Sequence, residues 1–264
     1  MIALCQIDRV MTAFRQFFGA PDAIKEACSP WNTENLPREF GFINGMETKE
    51  QWFGTRHHCT KPLATEGPTG WPDDGSIAGI DSFREAVLEA MSLYDSICRR
   101  VMSVVAPEVL HECETVPAEF AHSGILDAFA YFNKQPEPPD DPAEEDAYKN
   151  CGEHYDPGYF TIAPCAAVHG LQLLDKASGK WIYNEDYAAK GAELTIFCNE
   201  WLEKVTAGKF RAMRHRVRTP LTNVIVVINC HQHSLNVEQS LHNCHRMHQS
   251  VIIIINYHQC SLSF

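Results

Sequence analysis

The sequence predicts a mainly β fold with flanking helices, and two patterns carry this prediction. Residues 154–218 divide into short apolar segments separated by Gly, Asp and Asn, which is typical of an antiparallel sandwich or barrel. Residues 9–28 and 81–105 instead have apolar residues at helical spacing. A β-rich core with helices before it follows from this division.

The composition is that of an ordinary globular protein, with 45% hydrophobic and 21% charged residues in a chain of 264. A net charge of -12 argues against a nucleic-acid partner. The longest apolar runs, at 224–228 and 251–255, are too short to cross a membrane. The 11 cysteines form no CxxC pair and no signal peptide opens the chain, so we expect reduced thiols and a cytoplasmic location.

The helical segments come first along the chain. Residues 9–28 are predicted to form an amphipathic helix that Pro21 interrupts or restarts. Residues 30–80 read as loop with one short strand near "FGFING". The helix at 81–105 is expected to begin at Asp81 as N-cap. Its apolar stripe, which predicts its buried face, is Phe83, Val87, Met91, Tyr94, Cys98, Val101 and Val105.

Short strands follow the helices. The first is predicted at 124–133, and an exposed acidic, proline-rich loop is predicted over 134–150. The later strands are predicted at "YFTIAP", "GLQLLD", "KWIYN", "AELTIFCN" and "RAMRHRV". Residues 219–264 differ in composition, because they hold two charged residues and six of the 13 histidines. There "VIVVINCHQHSL" returns 27 residues later as "VIIIINYHQCSL".

A candidate metal site begins with His154 and Asp156. Residues i and i+2 of a strand share a face, so these two side chains would present a nitrogen and an oxygen side by side. His215 is the candidate third ligand, and such a facial set leaves open positions that suit non-haem Fe(II). A surface ion pair for the first two residues, and a solvated strand position for His215, are the alternatives.

The residues around these ligands resemble the isopenicillin N synthase-like branch of the 2-oxoglutarate and Fe(II)-dependent dioxygenases. That family runs H-x-D-P-G-x-x-T, then G-L-Q-V with G-K-W, then T-x-G followed by H-R-V. The matching positions are His154, Asp156, Pro157, Gly158, Thr161, Gly170, Leu171, Gln172, Gly179, Lys180, Trp181, Thr206, Gly208, His215, Arg216 and Val217. The resemblance extends more loosely over residues 9–218.

The resemblance implies a double-stranded β-helix (jelly roll) and oxidation of a small organic substrate. It implies Fe(II) held by His154, Asp156 and His215, with 2-oxoglutarate and O2 as co-substrates and Tyr131 as a co-substrate contact. No further catalytic side chain is assigned, and a buried sheet tyrosine is the simpler interpretation of Tyr131. The implied regions are an incomplete helical part at 1–120, the jelly-roll core at 121–218 and a His-rich repeat tail at 219–264.

Two departures from the family pattern affect these expectations. The family's first strand and helix are not found, so the chain is expected to be truncated at its N-terminus. The family also has an R-x-S about ten residues after the last histidine, and its Arg binds 2-oxoglutarate by a bidentate ion pair. Here "VIVVI" stands at that place, so the last strands are expected to be missing or replaced. Arg216 and Arg218 alternate away from His215 and are poor substitutes.

Three alternatives to a 2-oxoglutarate-dependent dioxygenase therefore remain. An oxidase of the same fold would not use 2-oxoglutarate. A pseudoenzyme or incomplete gene product would bind iron without turnover, and its tail would not belong to the fold. A non-catalytic protein could instead bind metal through the tail. The candidate ligands there are Cys230, His231, His233, His242, Cys244, His245 and His248, although their spacing is not usual for zinc.

Overall fold

The computed structural model describes residues 2–29, 40–43, 49–56, 59, 70–73, 75–77, 79, 82–114, 123–131, 149–166, 169–187, 193–218, 225–233 and 252–256. The helices are α1 (Ile2–Phe18), α2 (Asp22–Ala27), α3 (Phe83–Val105), α4 (Pro107–Glu114) and α5 (Glu200–Val205). The strands are β1 (Phe40–Ile43), β2 (Lys49–Thr55), β3 (Ser123–Tyr131), β4 (Lys149–His154), β5 (Phe160–Pro164), β6 (Leu171–Asp175), β7 (Lys180–Tyr183), β8 (Glu193–Cys198), β9 (His215–Arg218), β10 (Ile225–His233) and β11 (Ile252–Asn256). None of these helices is long and apolar enough to pass through a membrane.

The described strands form two sheets, and the neighbouring strands in each sheet pair in antiparallel fashion. The larger sheet has the order β1-β2-β3-β10-β5-β8-β11, and the smaller has the order β4-β9-β6-β7. The predicted architecture, mainly β with helices beside it, is therefore confirmed. The chain crosses from one sheet to the other several times, so some strands that are neighbours in a sheet, such as β3 and β10, are far apart in sequence.

Alternation along the strands produces two hydrophobic cores. In β8, Leu194 and Ile196 belong to the larger core, where they join buried residues of α1 and α3. Phe197 points the other way, into a smaller core with Leu173 and Val217 of the smaller sheet. The smaller core therefore lies between the two sheets, and His215 of β9 is in ring contact with Phe197 there, at 4.9 Å between centroids.

The helical predictions hold in position and differ at their ends. The first helix begins at Ile2 rather than at residue 9, and Pro21 directly precedes α2 as predicted. The helix α3 is capped by Ser82, whose hydroxyl accepts a hydrogen bond from Glu85 N at 3.3 Å. The N-cap prediction of Asp81 was wrong, because Ser82 already supplies the oxygen that the first turn requires. Asp81 itself lies outside the described residues.

Other differences concern strands. The strand predicted at "RAMRHRV" begins only at His215, because Ala212 and Met213 N are bonded to Glu203 and to Cys198 O instead of to a strand. The second strand of the first hairpin, β2, was not predicted. Residues 134–148 of the predicted acidic loop lie outside the described residues.

The tail contributes two strands to the larger sheet. β10 pairs with β3 on one side and with β5 on the other, and β11 pairs with β8 at the edge. The last strands of the sheet are thus present, with a sequence that replaces the family's pattern. The tail histidines and cysteine at 242–248 lie outside the described residues, and the three regions 1–120, 121–218 and 219–264 remain predictions.

Candidate metal centre

Three side chains from the smaller sheet and the loop beside it converge at one end of the smaller core. His154 ends β4 and His215 begins β9, and the two residues are direct partners in the sheet. His154 Nε2 lies 3.3 Å from Asp156 Oδ1, and His215 Nε2 lies 3.3 Å from Asp156 Oδ2. One ligand atom from each of the three residues lies within 4.8 Å of the others. The structure thus brings together all three predicted ligands.

The way in which Asp156 reaches this position differs from the sequence argument. That argument placed His154 and Asp156 on one face of a strand, and this was wrong, because β4 ends at His154. Asp156 lies in the turn between β4 and β5, where Gly158 has φ of 93°. The backbone carbonyl of Asp156 accepts a hydrogen bond from Glu200 N at 3.2 Å. The turn, and not strand alternation, therefore directs the carboxylate towards the histidines.

The two imidazole rings are held from behind by the backbone. His154 Nδ1 lies 2.8 Å from Gly152 O, and His215 Nδ1 lies 3.1 Å from Met213 O. A carbonyl oxygen can only accept, so each Nδ1 carries a proton and donates it. In the neutral ring the lone pair is then on Nε2, which faces Asp156. This arrangement is the usual outer support of a metal-binding histidine.

The Asp156 carboxylate has its own support in the larger sheet. Thr161 Oγ1 donates to Asp156 Oδ2 at 2.6 Å, and Asn199 Nδ2 donates to Thr161 Oγ1 at 2.9 Å. Asn199 Nδ2 also reaches Pro157 O at 3.1 Å. Asp156, Thr161 and Asn199 are all buried. A buried carboxylate without such partners would be costly, so this chain of hydrogen bonds holds the carboxylate in position and offsets its burial.

The electrostatics of the group favour a cation. The hydrogen bond to Asp156, with a smaller contribution from Cys151, raises the pKa of His154 to about 10. Without a metal ion, a proton on His154 therefore supplies the positive charge beside the carboxylate at neutral pH. A divalent cation bound at both Nε2 atoms and the carboxylate would take the place of that proton. Two imidazoles and one carboxylate on one side of an ion fit Fe(II), with the remaining positions open.

Comparison with known proteins agrees with this chemistry. No family model matches the chain. A 2-oxoglutarate-Fe(II) type oxidoreductase of Aspergillus fumigatus is 26% identical over 161 residues, covering 61% of this chain and 44% of the relative. Gibberellin 2-beta-dioxygenase 3 of Arabidopsis thaliana is 26% identical over 137 residues, covering 52% of this chain and 39% of the relative. The chain is thus similar in sequence to 2-oxoglutarate/Fe(II) oxygenases, as its motifs predicted.

The similar solved structures bear on the fold of this chain. The structure of JOX2 in complex with 2OG, Fe and JA superposes with a TM-score of 0.64 at 19% identity, over 89% of this chain and 65% of that one. Oxygenases of this family have a jelly-roll fold, so the predicted double-stranded β-helix is confirmed. The chain spans less than half the length of the two curated relatives that it matches.

The resemblance described above implies an Arg that would hold 2-oxoglutarate, and the strand on which this Arg is expected differs here. The family's anchoring Arg is expected on the strand after β9, which is β10, and its sequence "IVVINCHQH" has no Arg or Lys. Arg216 does not substitute, because its Nε donates to Gln172 at 2.7 Å and its guanidinium stacks on Trp181 at 4.2 Å. Tyr131 ends β3, next to Ile225 in the sheet, and its side chain lies outside the described part of the structure.

Sequence reasoning did not find the residues that support the three candidate ligands. Thr161 was noted as a family match without a role, and Asn199 and Glu153 were not singled out. Asn199 follows an apolar strand and precedes a helix, which is a common capping pattern. The pattern alone suggests a helix cap, but the Asn199 side chain makes no cap and forms hydrogen bonds with Thr161 and Pro157 instead.

Proposed function

We propose that this chain carries the metal-binding core of a cytoplasmic 2-oxoglutarate and Fe(II)-dependent dioxygenase that oxidises a small organic molecule. The observation that carries the proposal is the convergence of two Nε2 atoms and one carboxylate within 4.8 Å, each supported from behind. The relatives' names and the jelly-roll fold support the same reaction class. The described cysteines are free thiols, which supports a reducing compartment.

Each residue of the site would have a separate task. His154, Asp156 and His215 would hold Fe(II), and Gly152 O and Met213 O would keep the two rings in orientation. When bound, Fe(II) with 2-oxoglutarate and O2 supplies oxidation of the substrate, coupled to conversion of 2-oxoglutarate to succinate and CO2. The apolar side chains of the smaller core next to His215 would exclude water from one side of the site.

The test is an anaerobic titration with Fe(II) and then 2-oxoglutarate, observed through the weak visible band of the chelate. We expect the band in the parent chain and its loss in His215→Ala. A matched control is His169→Ala, because His169 is half exposed, pairs with Asp186 and stacks on Tyr183 away from the site. Equal iron binding by the parent and His215→Ala would refute the site.

A second candidate is a relative of the same fold that binds iron and does not use 2-oxoglutarate. The observation that favours it is the sequence of β10, which has neither Arg nor Lys. Loss of a bidentate ion pair costs about 1.5–3 kcal/mol, or roughly one to two orders of magnitude in affinity. This candidate predicts tight iron binding, no chelate band at millimolar 2-oxoglutarate and no succinate release. Succinate formed in step with substrate oxidation would exclude it.

A further inference from the structure

Glu153 lies directly before the ligand His154 and contacts both neighbours of the ligand His215. Glu153 Oε2 pairs with Arg214 NH2 at 2.5 Å, and Glu153 Oε1 pairs with Arg216 NH1 at 3.4 Å. One carboxylate on β4 therefore reaches two guanidinium groups, one just before β9 and one within it. These contacts are on the opposite face of the smaller sheet from the ligands, since Arg216 alternates with His215 and Val217.

The backbone gives a reason why this contact is needed. In the sheet Cys151 is opposite Val217 and His154 is opposite His215, with a register shift between the two pairs. Two residues of β4 thus stand opposite one residue of β9, which is a β-bulge. A bulge leaves the ladder of backbone hydrogen bonds interrupted, and here it falls directly beside both ligands. Side chains must then fix the register that the backbone holds less well.

The partner of Glu153 is itself rigidly held. Arg216 is buried, its Nε donates to Gln172 Oε1 at 2.7 Å, and its guanidinium lies 4.2 Å from the Trp181 ring centre. Gln172 is on β6 and Trp181 is on β7. The ion pairs of Glu153 therefore connect the ligand strand β4 to all three other strands of the smaller sheet. Arg214 is more exposed, so its ion pair contributes less.

We propose that Glu153 is a positioning residue that sets the distance between the two histidine ligands by clamping the bulge of β4 to β9. The inference rests on the proposed function, since it requires His154 and His215 to bind one metal ion. Glu153 touches neither ligand ring in this role and supplies no atom to the ion. Its effect on metal binding arises through strand register alone.

The test compares Glu153→Gln with Glu50→Gln in the full chain, using anaerobic Co(II) titration and the visible spectrum of bound Co(II). Glu50 pairs with Lys25 at 2.8 Å and is mostly buried, so its variant also loses an ion pair, but in the larger sheet. Removing a hydrogen-bond partner of a metal ligand typically costs roughly 10–100-fold in affinity, and Glu153 acts one step further away, so its effect should lie at the lower end. We expect Glu153→Gln to bind Co(II) about tenfold more weakly, with shifted bands, and Glu50→Gln to match the parent.

Parent-like affinity and spectrum in Glu153→Gln would overturn the inference, and so would an equal loss in Glu50→Gln. If Glu153→Gln is not obtained folded, Arg214→Gln replaces it, because that side chain is partly exposed. A loss of roughly threefold or more then supports the clamp and an unchanged affinity overturns it. Failure of the proposed function looks different, since the parent and His215→Ala would then bind Co(II) equally.

Discussion

The hydroxyl of Thr161 gives the sharpest test of how the site is held. Thr161→Val keeps the branched shape of the side chain and removes only the group that donates to Asp156 Oδ2 at 2.6 Å. Thr161 is fully buried and Asp156 nearly so, so water cannot replace the lost donor. Asp156 would then have one hydrogen-bond partner fewer.

The expected cost follows mainly from the two shortest hydrogen bonds that involve this hydroxyl. A hydrogen bond to a charged group contributes about 1.5–3 kcal/mol. The second bond, from Asn199 Nδ2, is a smaller loss because that group also reaches Pro157 O at 3.1 Å. No cavity forms, so we expect Thr161→Val to lower the free energy of unfolding by about 2–3 kcal/mol in total. For a domain of this size that is a fall in Tm of roughly 5–10 °C.

The assay is chemical denaturation of the metal-free chain, followed by Co(II) titration of the folded variant. Thr161→Ser is the matched control, because it keeps the hydroxyl and loses the methyl group. We expect Thr161→Val to bind Co(II) roughly 10–100-fold more weakly than the parent, and Thr161→Ser to stay close to it. Equal stability and equal affinity in the two variants would refute the role given to this hydroxyl.

Three further predictions concern the scaffold. Phe14→Ala, in the middle of the larger core, is expected to lower the free energy of unfolding by about 3–5 kcal/mol in chemical denaturation. The control Val104→Ala, at the exposed face of α3, should change it by no more than about 0.5 kcal/mol. Similar losses in the two variants would contradict this core. In Gly158→Ala the new alanine must adopt the φ of 93° that the glycine has. The variant should therefore lose about 1–3 kcal/mol of unfolding free energy and bind Co(II) more weakly. Stability and affinity equal to those of the parent would exclude strain at this turn. Burial raises the pKa of Cys28 to about 12. In the native chain at pH 8, iodoacetamide should therefore label the exposed Cys5 and not Cys28, as measured by peptide mass mapping. Labelling of Cys28 in the native chain would contradict its burial.

Local patterns predicted those parts of the fold that local forces determine. In α3 the residues Phe83, Val87, Met91, Tyr94 and Cys98 of the predicted stripe are buried. The break at Pro21 is also where α1 and α2 separate. Helical spacing and proline chemistry act within a few residues, so they can be read from the sequence directly. The short hairpin strand β2 was missed, because its pattern mixes charged, aromatic and glycine positions.

The sequence suggested the three candidate ligands of the site, but not the residues that hold those ligands in place. Residue type and spacing suggested His154, Asp156 and His215, and the resemblance to a known family selected them over the simpler alternatives. The turn that directs Asp156, and the hydrogen bond from Thr161, depend on how two sheets face each other. The pairing of Glu153 with Arg216 joins residues 63 positions apart. Contacts of this kind have no local signature, so a single sequence does not display them.

The place of β10 in the larger sheet has a consequence for how the chain is made. Phe129 of β3 pairs with Val227 of β10, 98 residues later, and Ile162 of β5 pairs with Cys230. During synthesis both flanking strands leave the ribosome well before the strand that joins them. The edges that face β10 stay unpaired until then, and such high contact order slows folding and favours aggregation. Assembly of the sheet beside the candidate ligands is therefore a late event, completed only when residues 225–233 arrive.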